Sequence, residues 1–555
     1  MGMGAVVVST GLEGCVLDSS DERTITFTHG VASGDPLADG VMLWTRAAPA
    51  NGGAPVGVAW EVSTDEDFEN LVHSGTAEAA AAHDFTVKVD VRGLVPGQTY
   101  YYRFQTTDRQ SPVGVTRTLP EGSIDSVRLA VVSCSNYPAG YFNVYREISK
   151  QTDLDAVVHL GDYIYEYSSD SSSYAAQDAQ DLGRTFPENN NLELIELADY
   201  RRRYAAYRSD PDLQSLHARD DHEVANDTWE EGAENHNDGE GDFTERKLNA
   251  LKAYFEWMPI RPVIEGSDEA IFRTFRFGNL VDLHMLDTRI IGRDQQLDYM
   301  DYFTGEGLDA ARFTADVGSQ NRTLLGAEQL LWLQSSLNYS TATWQVLGQQ
   351  VLMGRMNLPA ELLVAIATEQ FEGLPAKLAE LAQLKAQALQ GVTLDPDDAA
   401  RINTVAPYNL DAWDGYQYER EVVLGTAKAL NKNLVVLAGD THNAWANNLK
   451  DINGDQIGVE FATASVTSPG LEEYLGIPDE MIQGAEQAIS LLVDDLDYLN
   501  VNQRGYMLVT FTPEEAKADW YFVDTIKSRE YQIDAGRTAS RRVLAGQGVL
   551  MADPV

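Results

Sequence analysis

Two textures of apolar and polar positions divide the chain. Over residues 23–120, short alternating runs stand between turns, at 24–28, 41–45, 56–62, 85–91 and 99–104. A period of two bounded by Gly, Pro and Asp predicts half-buried strands. Few helical periods interrupt them, so the stretch is read as a β-sandwich of about 100 residues. From 126 to 555 the texture changes. Residues 128–134, 156–160 and 433–438 are continuous apolar runs that stop abruptly at polar residues. Residues 141–150 between the first two read as a helix, giving a β-α-β unit and an α/β fold. Residues 271–286 read as paired strands, 324–337 as a helix and 344–353 as a strand. Residues 359–390 have helical spacing and are expected beside or over a site. Residues 396–407 are read as a loop, and 459–468 and 506–511 as late strands. Beyond 523 little periodicity remains, and that segment is expected to wrap the domain or cover the site entrance.

Smaller signals refine this division. Leu94-Val95-Pro96-Gly97, followed by the aromatic run Tyr100-Tyr101-Tyr102-Arg103-Phe104, resembles a fibronectin-type turn and strand. His29, Asp35 and Asp39 lie among Gly and Pro and are read as turn and surface residues. Residues 118–125 are the expected linker. Residues 226–245 are polar and acidic and are read as a solvated, mobile loop, His236 included. Residues 1–20 are read as the remnant of an export signal. Gly4 to Leu12 is apolar and small and ends in Leu12-Glu13-Gly14-Cys15, which resembles a bacterial lipobox. The expectation is an exported, periplasmic or extracellular protein, with lipid attachment at Cys15 left open.

Charge changes the picture. The 555 residues carry 41 Lys and Arg against 85 Asp and Glu, a net charge of −44. Such a surface repels DNA and RNA, which excludes nucleic acid as a natural partner. It does not exclude a small anionic substrate, because bound metal ions invert the local field. Two cysteines exclude a disulfide framework. No run after residue 20 is long and apolar enough to span a bilayer.

The three abrupt strand ends carry the chemistry. One ends in Cys134, one in Asp162 with Tyr165, and one in Asp440 with His442. Strand ends of one sheet converge in space, so a shared site is expected. Thiolate, phenolate, carboxylate and imidazole together suit a transition metal. Thiolate with phenolate favours a strongly Lewis-acidic ion such as ferric iron, and further carboxylates suit a harder divalent ion. Each residue has an ordinary alternative: Cys134 as a buried small hydrophobe, Tyr165 as a packing residue beside Tyr163 and Tyr167, Asp440 and His442 as a helix cap.

Longer blocks sharpen the reading. Gly161-Asp162-Tyr163-Ile164-Tyr165, Asp221-His222-Glu223 and Gly439-Asp440-Thr441-His442 resemble the ordered blocks of calcineurin-like metallophosphoesterases. His29-Gly30-Val31-Ala32-Ser33-Gly34-Asp35-Pro36, Ser133-Cys134-Ser135-Asn136, Leu286-Asp287-Thr288-Arg289 and Trp413-Asp414-Gly415-Tyr416 narrow this to the alkaline phosphatase D (PhoD-like) family. The resemblance implies a small β-sandwich followed by a four-layer α/β metallophosphoesterase domain, two β-sheets flanked by helices. It implies Fe(3+) and Ca(2+), or other divalent ions, and hydrolysis of small phosphate esters as an alkaline phosphatase or phosphodiesterase on extracellular organic phosphorus. Carried over by position, Cys134, Asp162, Tyr165 and His442 hold the iron, and Asp162 bridges to a second ion held by Asp221 and Asp440. His222 sits beside the leaving group, and Asn136 and Arg289 contact substrate oxygens. One departure stands out. The family usually has an apolar strand and a Trp directly before its Asp-Asp-His-Glu block, whereas here Leu216-His217-Ala218-Arg219 precedes Asp220. Two rival readings accompany the first: a phospholipase- or phosphotriesterase-like hydrolase, which an open apolar groove not visible in the sequence would favour, and, motivated by the absent strand, a catalytically impaired metal-binding protein on the same scaffold.

Overall fold

The computed structural model describes residues 25–50, 52–170, 175–214, 224–263, 270–304, 307–368 and 370–553. Cys15 with its apolar leader, and the Asp220-Asp221-His222-Glu223 block, lie outside the described residues.

The N-terminal residues form two main antiparallel sheets, beside a short pairing of Ile25–Thr26 with Ala48–Pro49. One orders Val31–Gly34, Gly40–Arg46 and Thr86–Arg92; the other orders Leu71–Ala79, Val56–Ser63, Thr99–Gln105 and Gly114–Arg117. Alternate residues of both sheets, among them Val41, Val89, Trp60 and Tyr102, share one core. The strand Leu71–Ala79 gives no alternating signal because it is largely exposed, as edge strands are.

The larger part contains two large sheets beside two short two-stranded pairings. The six-stranded one orders Ala156–His159, Val127–Val132, Arg504–Phe511, Glu515–Val523, Ala539–Leu544 and Met551–Ala552. The seven-stranded one orders Arg273–Phe277, Val281–Met285, Trp344–Gly348, Asn433–Ala438, Gln456–Ala462, Ala444–Lys450 and Leu496–Asn500. Its middle strands are parallel and buried on both faces, which is why they read as unbroken apolar runs. One face of each sheet meets in a common core of Leu129, Val131 and Trp520 against Val346, Val435 and Phe461. The opposite face of the six-stranded sheet, at Ala130 and Val132, packs under Tyr145, Tyr204 and Tyr254 of three helices. The opposite face of the seven-stranded sheet, at Leu434 and Val436, packs under Leu333, Val423 and Ile489 of three others.

Four sequence expectations are corrected here. First, the chemistry-bearing strand ends belong to two sheets, not one: Cys134 and Asp162 follow strands of the six-stranded sheet, Asp440 and His442 a strand of the seven-stranded sheet. Second, residues 396–407 are not a loop. They hold the helix Pro396–Asn403 and the strand Val405–Pro407. Asp395 accepts the amides of Asp397 and Asp398 at 3.0 Å, and Pro396 sits at the first helical position, the usual pairing of cap and proline. Third, residues 226–245 are partly packed, with Thr228 and Ala233 buried and Asp242 capping the helix Phe243–Trp257. Fourth, His29 and Asp35 are buried rather than surface residues, whereas Asp39 is exposed.

Asp35 is buried because it joins the two parts. Its carboxylate accepts from the Arg261 amide at 2.7 Å and from Arg273 Nη1 at 2.8 Å. Nearby, Lys88 Nζ donates to the carbonyls of Phe255 and Ile260, both at 2.6 Å. Removing one partner of a buried charge pair strands the other. Asp35→Ala is therefore expected to lower unfolding stability by about 3–5 kcal/mol, and Asp39→Ala by almost nothing. Urea denaturation of the two variants checks this.

Candidate metal centre at the meeting of two sheets

The two sheets touch where their strands end. A Cβ on Gly439 would lie 2.7 Å from Ser133 Cβ, so only glycine admits this approach. Backbone hydrogen bonds knit the three segments. Cys134 N donates to Gly161 O at 3.0 Å and Ser135 N to Asp162 O at 2.8 Å. The loop 463–470 closes the third side: Val466 N reaches Ser133 O at 2.9 Å, Thr467 N reaches Cys134 O at 3.3 Å, and Ser465 N reaches His442 O at 3.3 Å. Cys134, Asp162, Asp440 and His442 all take left-handed backbone conformations, with φ of 60°, 57°, 67° and 63°. Such conformations cost of order 1–3 kcal/mol each and persist where the surroundings over-determine them.

That strain aims the side chains at one another. Cys134 Sγ, an Asp162 oxygen and a His442 ring nitrogen lie within 4.8 Å of one another. The Tyr165 hydroxyl stands 3.0 Å from Asp162 Oδ2, 3.3 Å from His442 Nε2 and 2.7 Å from Ser468 Oγ. His442 Nδ1 donates to the Pro469 carbonyl at 2.6 Å, because a carbonyl can only accept. Nε2 is then the nitrogen with a lone pair, turned toward Asp162 and Tyr165. Burial, and next the charge of Asp162, push the Cys134 thiol up. A cation among these donors would reverse that shift. Thiol, phenol, carboxylate and imidazole around one point therefore fit a transition metal. Arg203 holds the Tyr165 segment from behind. Its guanidinium donates to the carbonyl of Tyr165, to Tyr167 O at 2.9 Å, to Asn190 O at 3.0 Å and to Leu192 O at 3.1 Å.

Next to this group lies a carboxylate-rich pocket. Arg289 Nη2 donates to Asp440 Oδ1 at 2.7 Å and Nη1 to Asp411 Oδ1 at 2.8 Å, with Asp227 Oδ1 at 3.8 Å. Arg293 also binds Asp411. Burial raises the Asp440 carboxyl; Arg289 opposes this, and the charges of Asp411 and Asp162 reinforce it. Burial and the Asp411 charge raise Asp227. Burial also acts to raise Asp411, but Arg289 and Arg293 hold it below the usual range. Arg289 thus faces three carboxylates, a surplus that fits a hard divalent cation.

The structure brings Cys134, Asp162, Tyr165 and His442 together and sets Asp440 and Arg289 beside them. Both ends of the Arg289 fork are engaged by aspartates. Asn136 is buried two residues past Cys134, and its carbonyl accepts from Thr467 Oγ1 at 2.7 Å. Asp221 and His222 lie outside the described residues. Sequence reasoning missed Asp227, Asp411, Ser468 and Tyr474. The Tyr474 ring stands 6.2 Å from that of His442 at an interplanar angle of 29°, with Tyr474 49% exposed. Asp411 was within reach, two residues before the block Trp413-Asp414-Gly415-Tyr416.

Family comparison places this geometry. Residues 129–520 match the PhoD-like phosphatase family and residues 14–120 match the PhoD-like phosphatase N-terminal domain. The chain belongs to the PhoD-like phosphatase family. It is 36% identical over 517 residues to alkaline phosphatase D of Bacillus subtilis (strain 168), covering 89% of this chain and 77% of that protein. A solved structure of PhoD superposes with a TM-score of 0.74 at 33% identity, covering 97% of this chain and 94% of that one. As a PhoD-like phosphatase the chain is a phosphoric ester hydrolase. Among the described residues no helix is long and apolar enough to cross a membrane.

Proposed function

We propose that this PhoD-like phosphatase hydrolyses phosphate monoesters and diesters at the junction of the two sheets, with Cys134, Asp162, Tyr165 and His442 holding iron. Asp440 and Asp221 would hold a second ion, calcium in this reading, with Asp162 serving both. The observation that carries the proposal is the convergence of Cys134, Asp162 and His442 donor atoms within 4.8 Å beside the Tyr165 hydroxyl. Bound there, the ions would supply Lewis acidity and lower the pKa of water.

The chain's own residues do the remaining work. Pro469 O fixes the His442 ring so that Nε2 faces the site. Ser468 orients the Tyr165 hydroxyl. Arg289 offsets part of the carboxylate charge that would otherwise repel a phosphate. Water adds to phosphorus, the ester P–O bond breaks, and His222 is the proposed proton donor to the leaving oxygen. Asn136 is proposed to contact substrate oxygens. We further propose a fibronectin-like sandwich over 23–120, a four-layer catalytic domain over 126–555, and an exported protein acting on organic phosphorus outside the cytoplasm.

Metal removal tests the reading. Treatment with an iron and calcium chelator is expected to abolish release of p-nitrophenolate from p-nitrophenyl phosphate and bis(p-nitrophenyl) phosphate, and adding both ions back to restore it. Elemental analysis is expected to find iron with calcium, and a visible tyrosinate band. Full turnover by metal-free protein would sink the proposal.

A further inference from the structure

Arg293, Asp411, Arg289 and Asp440 form a row of alternating charges that ends at the metal centre. Arg293 is 1% exposed and is fixed by backbone contacts. Its Nη1 donates to Thr288 O at 3.0 Å and its Nη2 to Asp411 O at 2.5 Å. The same Nη2 also donates to Asp411 Oδ1. That oxygen receives Arg289 Nη1 as well, at 2.8 Å. Asp411 N donates in turn to Asn409 Oδ1 at 2.9 Å. Asp411 is thus held through its carboxylate, its carbonyl and its amide, and one arm of the Arg289 fork is tied to it. The other arm, Nη2, stands 2.7 Å from Oδ1 of Asp440, two residues before His442.

Two effects of Asp411 on an incoming phosphate oppose each other. Its charge repels an anion. Its hold on Arg289 removes the need to immobilise a long, flexible side chain at the moment of binding, and so favours the anion. The repulsion is the weaker effect, because two guanidinium groups bear on this one carboxylate and the trio is net positive. The hold matters because Arg289 has other carboxylates within reach. Asp227 Oδ1 lies 3.8 Å from Nη1, and Asp440 already accepts from Nη2. An Arg289 released from Asp411 can fold onto either. Tied to Asp411, its planar fork points Nη2 in one direction. Nη2 carries two hydrogens, so it can serve Asp440 and a phosphoryl oxygen together.

We propose that Asp411 is a positioning residue for substrate binding: anchored by Arg293, it aims Arg289 Nη2 at the phosphoryl oxygens, so that a carboxylate strengthens the binding of an anion. The inference rests on Arg289 contacting substrate oxygens. It differs in sign from the two simpler roles for Asp411. A purely structural ion pair alters stability and leaves anion affinity alone. A purely electrostatic carboxylate makes the anion bind tighter once its charge is removed.

Calorimetric titration of the metal-loaded protein with methylphosphonate, an anion that is not turned over, tests the sign. Arg289→Gln is expected to weaken binding about 10- to 100-fold, the loss of one charge-assisted hydrogen bond. Asp411→Asn is expected to weaken it about five- to tenfold, and to cost nothing further in the Arg289→Gln background, because Asp411 acts through Arg289. Equal or tighter binding by Asp411→Asn, with Arg289→Gln still weakened, overturns the positioning role alone. So does a further loss in the double variant. Undiminished binding by Arg289→Gln removes Arg289 from the substrate and overturns both readings. Arg289→Lys serves if Asp411→Asn does not fold. Its ammonium keeps the charge but lacks the fork that reaches Asp411 and a phosphoryl oxygen at once. It is expected to bind methylphosphonate about as weakly as Arg289→Gln, and wild-type affinity in Arg289→Lys overturns the proposal.

Discussion

Replacing Asp162 with alanine is expected to remove both bound metal and turnover from an otherwise folded protein. Asp162 lies within reach of Cys134, Tyr165 and His442 at once, and its charge also bears on Asp440. Losing one electrostatic stabiliser of a transition state usually costs about 10²–10³ in kcat, and a residue proposed to serve two ions is expected to exceed that. The paired variant Asp162→Asn separates charge from conformation. Asn tolerates the left-handed φ of 57° that Asp162 adopts, whereas alanine does not welcome it. Both variants are expected to lose activity on bis(p-nitrophenyl) phosphate, and Asp162→Ala is expected to be the less stable. Elemental analysis, rate measurement and circular dichroism together decide it. An Asp162→Ala protein with full metal content and wild-type rate would remove Asp162 from the site.

The second large effect is structural. Arg203 is fully buried, and four carbonyl oxygens receive its guanidinium, those of Tyr165, Tyr167, Asn190 and Leu192. Burial lowers its pKa only to about 10, so it remains charged at neutral pH. Carbonyls left unsatisfied in the interior cost about 1–3 kcal/mol each, and Arg203→Met abandons four of them while relieving one buried charge. The expected net loss is about 3–5 kcal/mol, the range for breaking a buried charged contact. Arg203→Lys is expected to rescue little, because a single ammonium does not reproduce the planar fork. Because Tyr165 is one of the clamped residues, both variants are also expected to weaken the tyrosinate band. Chemical denaturation with visible spectroscopy measures the two effects; a loss under about 1 kcal/mol would contradict the clamp.

The strands that carry the site were legible because they are short, buried on both faces and therefore unbroken in their apolar run. Residues 433–438 were read with the bounds the structure gives, Asn433–Ala438. Which sheet each strand joins was not legible. A buried strand looks alike in either sheet, and the partner that fixes Val127–Val132 in its sheet, Arg504–Phe511, lies at the far end of the chain. The residues behind the first contacts were also hidden. Ser468 was read inside a strand over 459–468, but that strand ends at Ala462 and Ser468 lies in the loop beyond it, with Pro469; Asp227 lies in an acidic stretch whose composition suggests solvent, although its neighbours Ala225 and Thr228 are buried. Asp35 was misread for a related reason: a Gly- and Pro-rich segment resembles a surface turn until a second body packs on it. The helix Pro396–Asn403 is different, since Asp395-Pro396 announces it in the sequence.

The junction also dictates when the centre can exist. Ser468 Oγ donates to Cys134 O across 334 residues of chain, and Tyr165 meets His442 across 277. Contacts that distant close slowly and late in folding. A nascent chain ending before about residue 440 would hold Cys134, Asp162 and Tyr165 but lack the imidazole, and one ending before about residue 470 would still lack the loop that orients it. In the proposed reading metal capture would be a terminal event of folding, and by linkage the affinity for metal would add to the stability of the whole two-sheet assembly rather than to one loop. Loss of the metal-dependent colour would then report the undocking of either sheet, making the centre a built-in gauge of the integrity of the entire catalytic body.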